Sequence, residues 1–427
     1  MNLFKSTWST FKQQPVLSVI SVIGTALAIF LIMVVVMMQQ VKVAPFPPES
    51  NRDRMLHNHY MSIVQIGNDS YQSNGPMSWD HVKQVFLSMT TPEAVAVYTA
   101  FPTTGNLSVP NEVPVPVDYI GVNDQFWKVF DFTFVDGKPF DEATFNANLP
   151  VIVITESVAK KLFGTTDVTG RTVDFDHVPY TVAGVVKDVS SLATTAYAQA
   201  WPNLSSTVEF SNEWNGNIGG NLAVTILAKS PDDFDNVRAD FNRTLSAYNA
   251  TLKERGLEVI TRNRPYTQEK DVCGQAANIE PDLEGARRTR WIIYAILLLV
   301  PAVNLSSMTE SRLRQRVAEI GVRRAFGAKR SEILGGLITE NLIITLIAGI
   351  IGWILSIVFA YLSSSFLFSQ PFSSTVNPPS LEIGMLVQPS TFLWALLFCF
   401  VLNLISSGIP AFRASRSNIV NSLSNRR

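Results

Sequence analysis

Two cysteines in 427 residues are too few for a disulfide framework. Cys273 falls in a polar region and Cys399 inside an apolar run, so the two are not expected to meet, and no redox compartment follows from them. Charge imbalance is missing as well. Lys and Arg number 34 against 35 Asp and Glu, a net charge of -1, which excludes a global field for nucleic acid. Catalytic signatures are also lacking: no GxxxxGK(S/T) loop to cradle phosphates, no HExxH, no CxxC and no GxSxG. His57 and His59 stand two apart with no third metal ligand near them in sequence, and read as a solvated loop. Asp174, Asp176 and His177 read as turn chemistry at a hairpin. No catalytic residue, metal or cofactor of the chain's own is expected, and an enzyme anchored in the membrane is the weaker reading.

Apolar residues make up 47% of the chain, and they are gathered into long runs. Val16 to Met38 carries no charge and is long enough, at about 1.5 Å per residue, to cross a hydrocarbon core of roughly 30 Å. It is longer than a signal-peptide core and no small-residue cleavage site follows it, so an uncleaved span is expected. Before it, Phe4, Trp8 and Phe11 share a helical face beside Lys5 and Lys12, the pattern of an interfacial helix. Further spans are expected from Trp291 to about Met308, interrupted by Pro301, from about Ile333 to Leu362, and from about Thr391 to Phe412.

Basic residues in the short flanks orient the spans. Lys5 and Lys12 precede the first, and Arg413, Arg416, Arg426 and Arg427 follow the last. The stretch Arg312 to Arg330 holds seven Lys or Arg, whereas Ser363 to Ser390 holds none. Both termini and the basic loop are therefore expected in the cytoplasm. Arg287, Arg288 and Arg290 disagree, but they flank a long loop, which is translocated largely regardless of charge. About 250 residues from Val43 to Arg290 then lie outside. Val151–Ile154, Tyr180–Val186 and Leu222–Leu227 read as strands. Ser78–Leu87, Ser157–Phe163 and Asp233–Tyr248 read as helices. The expected fold is thus an α-helical membrane protein of four transmembrane helices with a large extracytoplasmic mixed α+β domain of two lobes, the second inserted between about Val115 and Glu213.

Small residues recur every four positions at Ala348, Gly352, Ser356 and Ala360 on the third span, and at Gly24 and Ala28 on the first. Such stripes let helix backbones approach closely in lipid, so both are expected at helix–helix contacts. Glu340, one turn inside the third span, is expected to pair with a basic residue of the loop before it. In that loop Val317, Ile320, Val322 and Phe326 make an apolar side, and Glu319 and Arg323 are four apart in the favourable order. Gly327 then ends the helix.

The segment Val317–Arg330 (VAEIGVRRAFGAKR) resembles the coupling motif of the FtsX/MacB-like ABC transporter permeases. Asn123–Gly137 (NDQFWKVFDFTFVDG), Val151–Gly164 (VIVITESVAKKLFG), Gly170 with Tyr180–Asp188 (YTVAGVVKD), and Pro410–Arg416 (PAFRASR) resemble other parts of the same family, in the same order. Ala318 and Phe326 depart modestly from its pattern. The resemblance implies residues 1–15 as a cytoplasmic interfacial helix, 16–42 as the first transmembrane helix and stalk, and 43–285 as a MacB-like periplasmic core domain. It implies 286–311 as stalk and second transmembrane helix, 312–331 as the coupling segment, and 332–427 as the last two spans with a short tail.

It further implies a bacterial inner-membrane permease subunit that passes the motion of a separate ATPase to its periplasmic domain for efflux or export. Glu319, Ile320, Gly321, Arg323, Arg324, Gly327 and Ala328 match the motif that contacts the ATPase. ATP would be bound by that partner, as the absent phosphate loop agrees. Other implied partners are a second permease copy, as homo- or heterodimer, a periplasmic adaptor with an outer-membrane channel, and membrane lipid, but no nucleic acid. A permease that senses peptides, activates a cell-wall hydrolase or extracts lipoproteins is the alternative. The size of the outer domain favours the exporter type.

Overall fold

The computed structural model describes residues 15–110, 112–274, 276–297 and 329–363, with scattered positions between 299 and 404. They divide into two compact units. One takes residues 41–284 and 367, and the other takes 15–40 together with the described residues of 285–363 and 383–427.

The chain begins with α1 (Pro15–Val43), then β1 (Met55–Asn58), β2 (Met61–Gln65), β3 (Asn68–Gly75), α2 (Trp79–Val85) and β4 (Ala94–Thr99). There follow β5 (Thr103–Ser108), β6 (Val115–Tyr119), α3 (Phe126–Val129), β7 (Phe134–Gly137), α4 (Glu142–Asn146), β8 (Val151–Thr155) and α5 (Glu156–Phe163). Then come β9 (Thr172–Phe175), β10 (Val178–Val186), β11 (Ala200–Pro202), β12 (Leu222–Leu227), α6 (Phe234–Leu252), β13 (Leu257–Ile260), β14 (Tyr266–Thr267) and α7 (Gln268–Asp271). The long α8 (Arg330–Leu362) follows after the basic loop.

In the polar unit one lobe is built on an antiparallel sheet of order β14-β1-β12-β4 and a smaller one of order β13-β2-β3. Every residue of β12 is buried, as expected of a strand that is apolar at all positions but Thr225 and covered on both faces. Against these strands pack Val82, Val85 and Phe86 from α2 and the end of its helix, and Val237, Phe241, Tyr248 and Leu252 from α6. Ser78 caps α2, its hydroxyl accepting the His81 amide at 3.0 Å. His57, expected in a solvated loop, instead lies inside β1 and is 1% exposed.

The second lobe has the order β7-β10-β8-β11-β6-β5-β9, and β9 also pairs with β10. The sheet therefore closes on itself, which leaves few open edges. Leu107, Val117, Tyr119, Ile152, Phe175 and Val182 fill its interior. Between β9 and β10, Asp176 and His177 both take positive φ (44° and 71°), the two-residue turn that matches the twist of a hairpin. Strands of this lobe begin at Thr103, earlier than the expected Val115. In β5 only Gly105 and Leu107 are buried, so the polar sequence TTGNLS gives little strand signal.

One carboxylate ties α6 to the loop after α2. Asp240 Oδ2 accepts the amides of Thr90 (2.8 Å) and Thr91 (3.0 Å), and Oδ1 accepts Arg243 Nη2 (2.6 Å). Burial opposes its ionisation, but Arg243 and the two amides outweigh burial and hold the carboxyl below the usual range. A lowered folded pKa contributes stability that is present above the unfolded value, about 4, and is lost as pH falls through the folded one. Asp240→Asn is expected to cost about 1.5–3 kcal/mol at pH 7. In denaturant unfolding the gap from the parent chain should narrow as pH falls below about 4; a constant gap would contradict this account.

In the apolar unit two described helices are long and apolar enough to cross a membrane, at Val22–Val43 and Leu342–Leu362. The expected count of four is not reached among the described residues, because most of the second and fourth spans lies outside them; residues 283–297 are helical. The interfacial helix expected at residues 1–15 also lies outside them, apart from residue 15. On α1, Val19, Ile20, Ile23, Leu27 and Leu31 are exposed, and on α8, Ile350, Ile351, Ile354, Leu355 and Val358 are. Those flanks are apolar and exposed among the described residues, as surfaces facing lipid or another helix are.

Candidate functional site

The end of α1 is held by a buried ionic clamp. A helix leaves its last four carbonyls without partners inside the helix. Here Arg52 Nη1 donates to the carbonyls of Val41 (2.8 Å) and Ala44 (3.0 Å), and Gln268 Nε2 from α7 donates to that of Lys42 (2.9 Å). Arg52 Nη2 donates to Leu192 O (3.0 Å) and meets Glu49 Oε2 at 2.6 Å, and Nε donates to the same carboxylate at 2.7 Å. All five guanidinium N–H groups are thereby used. Glu49 Oε1 accepts the amides of Thr195 (2.8 Å) and Ala196 (2.9 Å). Both side chains are at most 1% exposed, and the guanidinium lies 4.3 Å from the Phe46 ring centroid. A cation at a helix C-terminus also complements its dipole. The clamp binds the last turn of α1 to the segment from Leu192 to Ala196, about 150 residues away. Neither Arg52 nor Glu49 was singled out from the sequence. The one available signal was a Glu and an Arg three apart just after a helix end, and charges at such a place are normally solvated.

The segment NDQFWKVFDFTFVDG touches both lobes: its start packs on β4 of the first, and its end is β7 of the second. Asn123 Oδ1 accepts the amides of Val97 (3.0 Å) and Phe126 (3.1 Å), and Nδ2 donates to Val95 O (3.2 Å), so one side chain ties β4 to the start of α3. Phe126, Trp127 and Phe132 stack edge-on with their neighbours, and Trp127 and Phe132 reach Trp201 at 6.4 and 5.1 Å. Trp201 in turn donates to Ala196 O at 3.2 Å, beside the clamp.

Of the expected coupling residues, Glu319, Ile320, Gly321, Arg323, Arg324 and Ala328 lie outside the described residues. Gly327 is described: its φ is +92° and the space around it is open. Phe326 before it is 89% exposed, and its amide donates to Val322 O at 3.1 Å. Glu332 Oε2 then accepts the Lys329 amide at 3.1 Å, which starts α8. The side chain of Glu340 is not among those described.

The small residues of α8 share one face. Ala348 and Ser356 are fully buried, Ala360 is 1% exposed and Gly352 is buried. A Cβ added at Gly352 would lie 2.5 Å from the carbonyl oxygen of Ala26 on α1. Phe30 and Phe359 meet edge to face at 5.4 Å along the same seam. On α1, Ala28 is buried, together with Thr25, Ala26 and Ile29. Gly24 is exposed, with nothing within 4 Å of its added Cβ among the described residues.

Comparison with known proteins accords with this arrangement of a polar unit and apolar helices. The model of the MacB-like periplasmic core domain matches residues 18–244, and that of the FtsX-like permease C-terminal region matches residues 291–419. The macrolide export ATP-binding/permease protein MacB of Escherichia coli strain K12 is 24% identical over 317 residues, 73% of this chain and 44% of that protein. The protein of that name from Shigella flexneri is 23% identical over the same shares. The chain thus spans less than half the length of these curated relatives. Among solved structures, the extracellular domain of the noncanonic ABC-type transporter YknZ from Gram-positive bacteria matches with a TM-score of 0.33 and 15% identity, over 47% of this chain and 99% of that one. The periplasmic region of MacB from Actinobacillus actinomycetemcomitans gives 0.32 and 18%, over 48% and 89%. Since the core-domain model alone matches more than half of the sequence and the permease model most of the remainder, the chain belongs to the MacB/FtsX-like family of ABC transporter permeases.

Proposed function

We propose that this chain is the membrane subunit of an exporter that relays the motion of an ATPase to its outer domain, moving a substrate out of the cell envelope. The observation that carries the reading is the capped end of α1. A helix whose terminal carbonyls are all free can fray and turn; one held through the carbonyls of Val41, Lys42 and Ala44 by Arg52 and Gln268 moves with what grips it. Force entering the first span would therefore reach the segment around Leu192–Ala196 without slack. The drive comes from ATP bound by a partner ATPase, which docks on the coupling segment through Glu319, Ile320, Gly321, Arg323, Arg324, Gly327 and Ala328. The exposed Phe326 beside Gly327 offers that partner an apolar anchor. The working assembly contains two permease copies, identical or related, with both termini in the cytoplasm, and engages a periplasmic adaptor and outer-membrane channel. The relatives named for macrolide export favour export over signalling.

Reversing two charges tests the docking. The double variant Arg323→Glu, Arg324→Glu is expected to lose co-purification with the ATPase while still inserting in the membrane. Affinity should fall by about 100-fold or more, since each reversed contact replaces attraction with repulsion. Undiminished co-purification would refute the assignment.

A further inference from the structure

We propose that His57, His59 and Asp271 form a binding site for a first-row divalent metal ion, Zn2+ above the others. The three residues are brought together by the fold. His57 is the third residue of β1 and His59 follows that strand two positions on, the spacing that puts side chains on one face of an extended chain. Asp271 closes the short helix α7, and β14 before it is the antiparallel neighbour of β1, with His57 opposite Tyr266. One ligand atom from each residue lies within 4.8 Å of the other two. His59 Nε2 and Asp271 Oδ2 are already 3.4 Å apart. That is the separation of two ligands on a tetrahedral ion at bond lengths of about 2.0–2.2 Å. A small side-chain adjustment brings in the third.

A second and independent observation points to a ligand. His57 is 1% exposed, yet its Nε2 is buried with no hydrogen-bond partner. A buried ring nitrogen left so costs free energy, and such atoms are uncommon in folded proteins. The other nitrogen, Nδ1, is 3.1 Å from Thr225 Oγ1, which in turn is 2.9 Å from the Tyr98 hydroxyl. With Nδ1–H donating to Thr225, the lone pair sits on Nε2, the tautomer and the outer support that metal-binding histidines have. Two imidazoles and one carboxylate suit Zn2+ and its neighbours in the first row, and not Ca2+ or Mg2+, which prefer oxygen. His59 and Asp271 keep 21% and 25% of their side-chain surface exposed, which provides an entry path and room for a water as fourth ligand. The site pins residues near the start of the polar unit to residues near its end. It also braces α7, whose Gln268 holds the Lys42 carbonyl at the end of α1.

The test uses the full-length chain in detergent, carried on an affinity tag without histidine, stripped with chelator and titrated with Co2+. One Co2+ per chain should bind saturably, give the visible absorption of four- or five-coordinate cobalt, and be displaced by Zn2+. His59→Ala and Asp271→Asn, both at partly exposed positions, should each weaken binding by about 100-fold. Cys273→Ser and His177→Ala should leave it unchanged. Thermal unfolding in chelator shows whether each variant is folded, and the two exposed positions provide two separate chances of a folded one. Binding below one equivalent, a six-coordinate spectrum, or full affinity in both ligand variants would overturn the proposal.

Discussion

Replacing Arg52 with alanine is expected to lower the thermal unfolding temperature of the outer domain by roughly 6–20 °C. The size follows from what is stranded. Glu49 would be left as a buried carboxylate, at most 1% exposed, without its cation, and breaking a buried pair in this way costs about 3–5 kcal/mol. The carbonyls of Val41, Ala44 and Leu192 lose their donor at the same time. Removing both charges in Glu49→Leu, Arg52→Met is the sharper comparison. If the clamp were only an ion pair, this double variant would recover most of the loss, since buried pairs often exchange for apolar residues at no cost. Here the three carbonyls stay unpaired and the amides of Thr195 and Ala196 lose Glu49 as well, so the double variant should remain close to the single one. Tryptophan emission reads the change locally, because Trp201 donates to Ala196 O beside the clamp. If the proposed relay holds, a preparation of the Arg52 variant joined to the partner ATPase should still hydrolyse ATP while the proposed export falls. An unfolding temperature within about 2 °C of the parent would remove the clamp from the mechanism.

What could be read from the sequence divides along physical lines. Apolar runs and β-branched stretches have strong local signals, so β12 falls where Leu222–Leu227 placed it, and α6 begins within a residue of the expected start. The hairpin turn at Asp176–His177 was legible because both residues tolerate positive φ. The closure of the second sheet was not, because it depends on β9 pairing with both β5 and β10, and register between distant strands has no local mark. The clamp and the His57–His59–Asp271 cluster were hidden for the same reason: each joins residues about 150 to 210 positions apart. His57 in particular reads as solvated because nothing local marks β1 as an inner strand, with β12 paired on one side and β14 on the other.

Gly352→Leu should open the seam between α1 and α8, whereas the same substitution at Gly335 or Gly336 should be mild. At Gly352 an added Cβ meets backbone: Ala26 O at 2.5 Å and the Phe30 amide nitrogen at 3.2 Å, with Ile29 Cβ also at 3.2 Å. No rotamer change relieves a clash with a helix backbone, so the helices must part. Even alanine should therefore cost about 1–3 kcal/mol, with leucine beyond that range. Gly335 and Gly336 lie in the same helix with nothing within 4 Å. Alanine there should gain about 0.8–1.0 kcal/mol, because helix propensity is then unopposed. The opposite signs separate a packing role from a general intolerance of change in α8. Cysteines at Phe30 and Phe359, whose rings meet across the seam, report the separation through a short bifunctional thiol reagent. With Cys273 and Cys399 replaced by serine, that pair should cross-link readily in the parent and poorly alongside Gly352→Leu. Equal cross-linking would mean that the small face of α8 does not set the distance to α1.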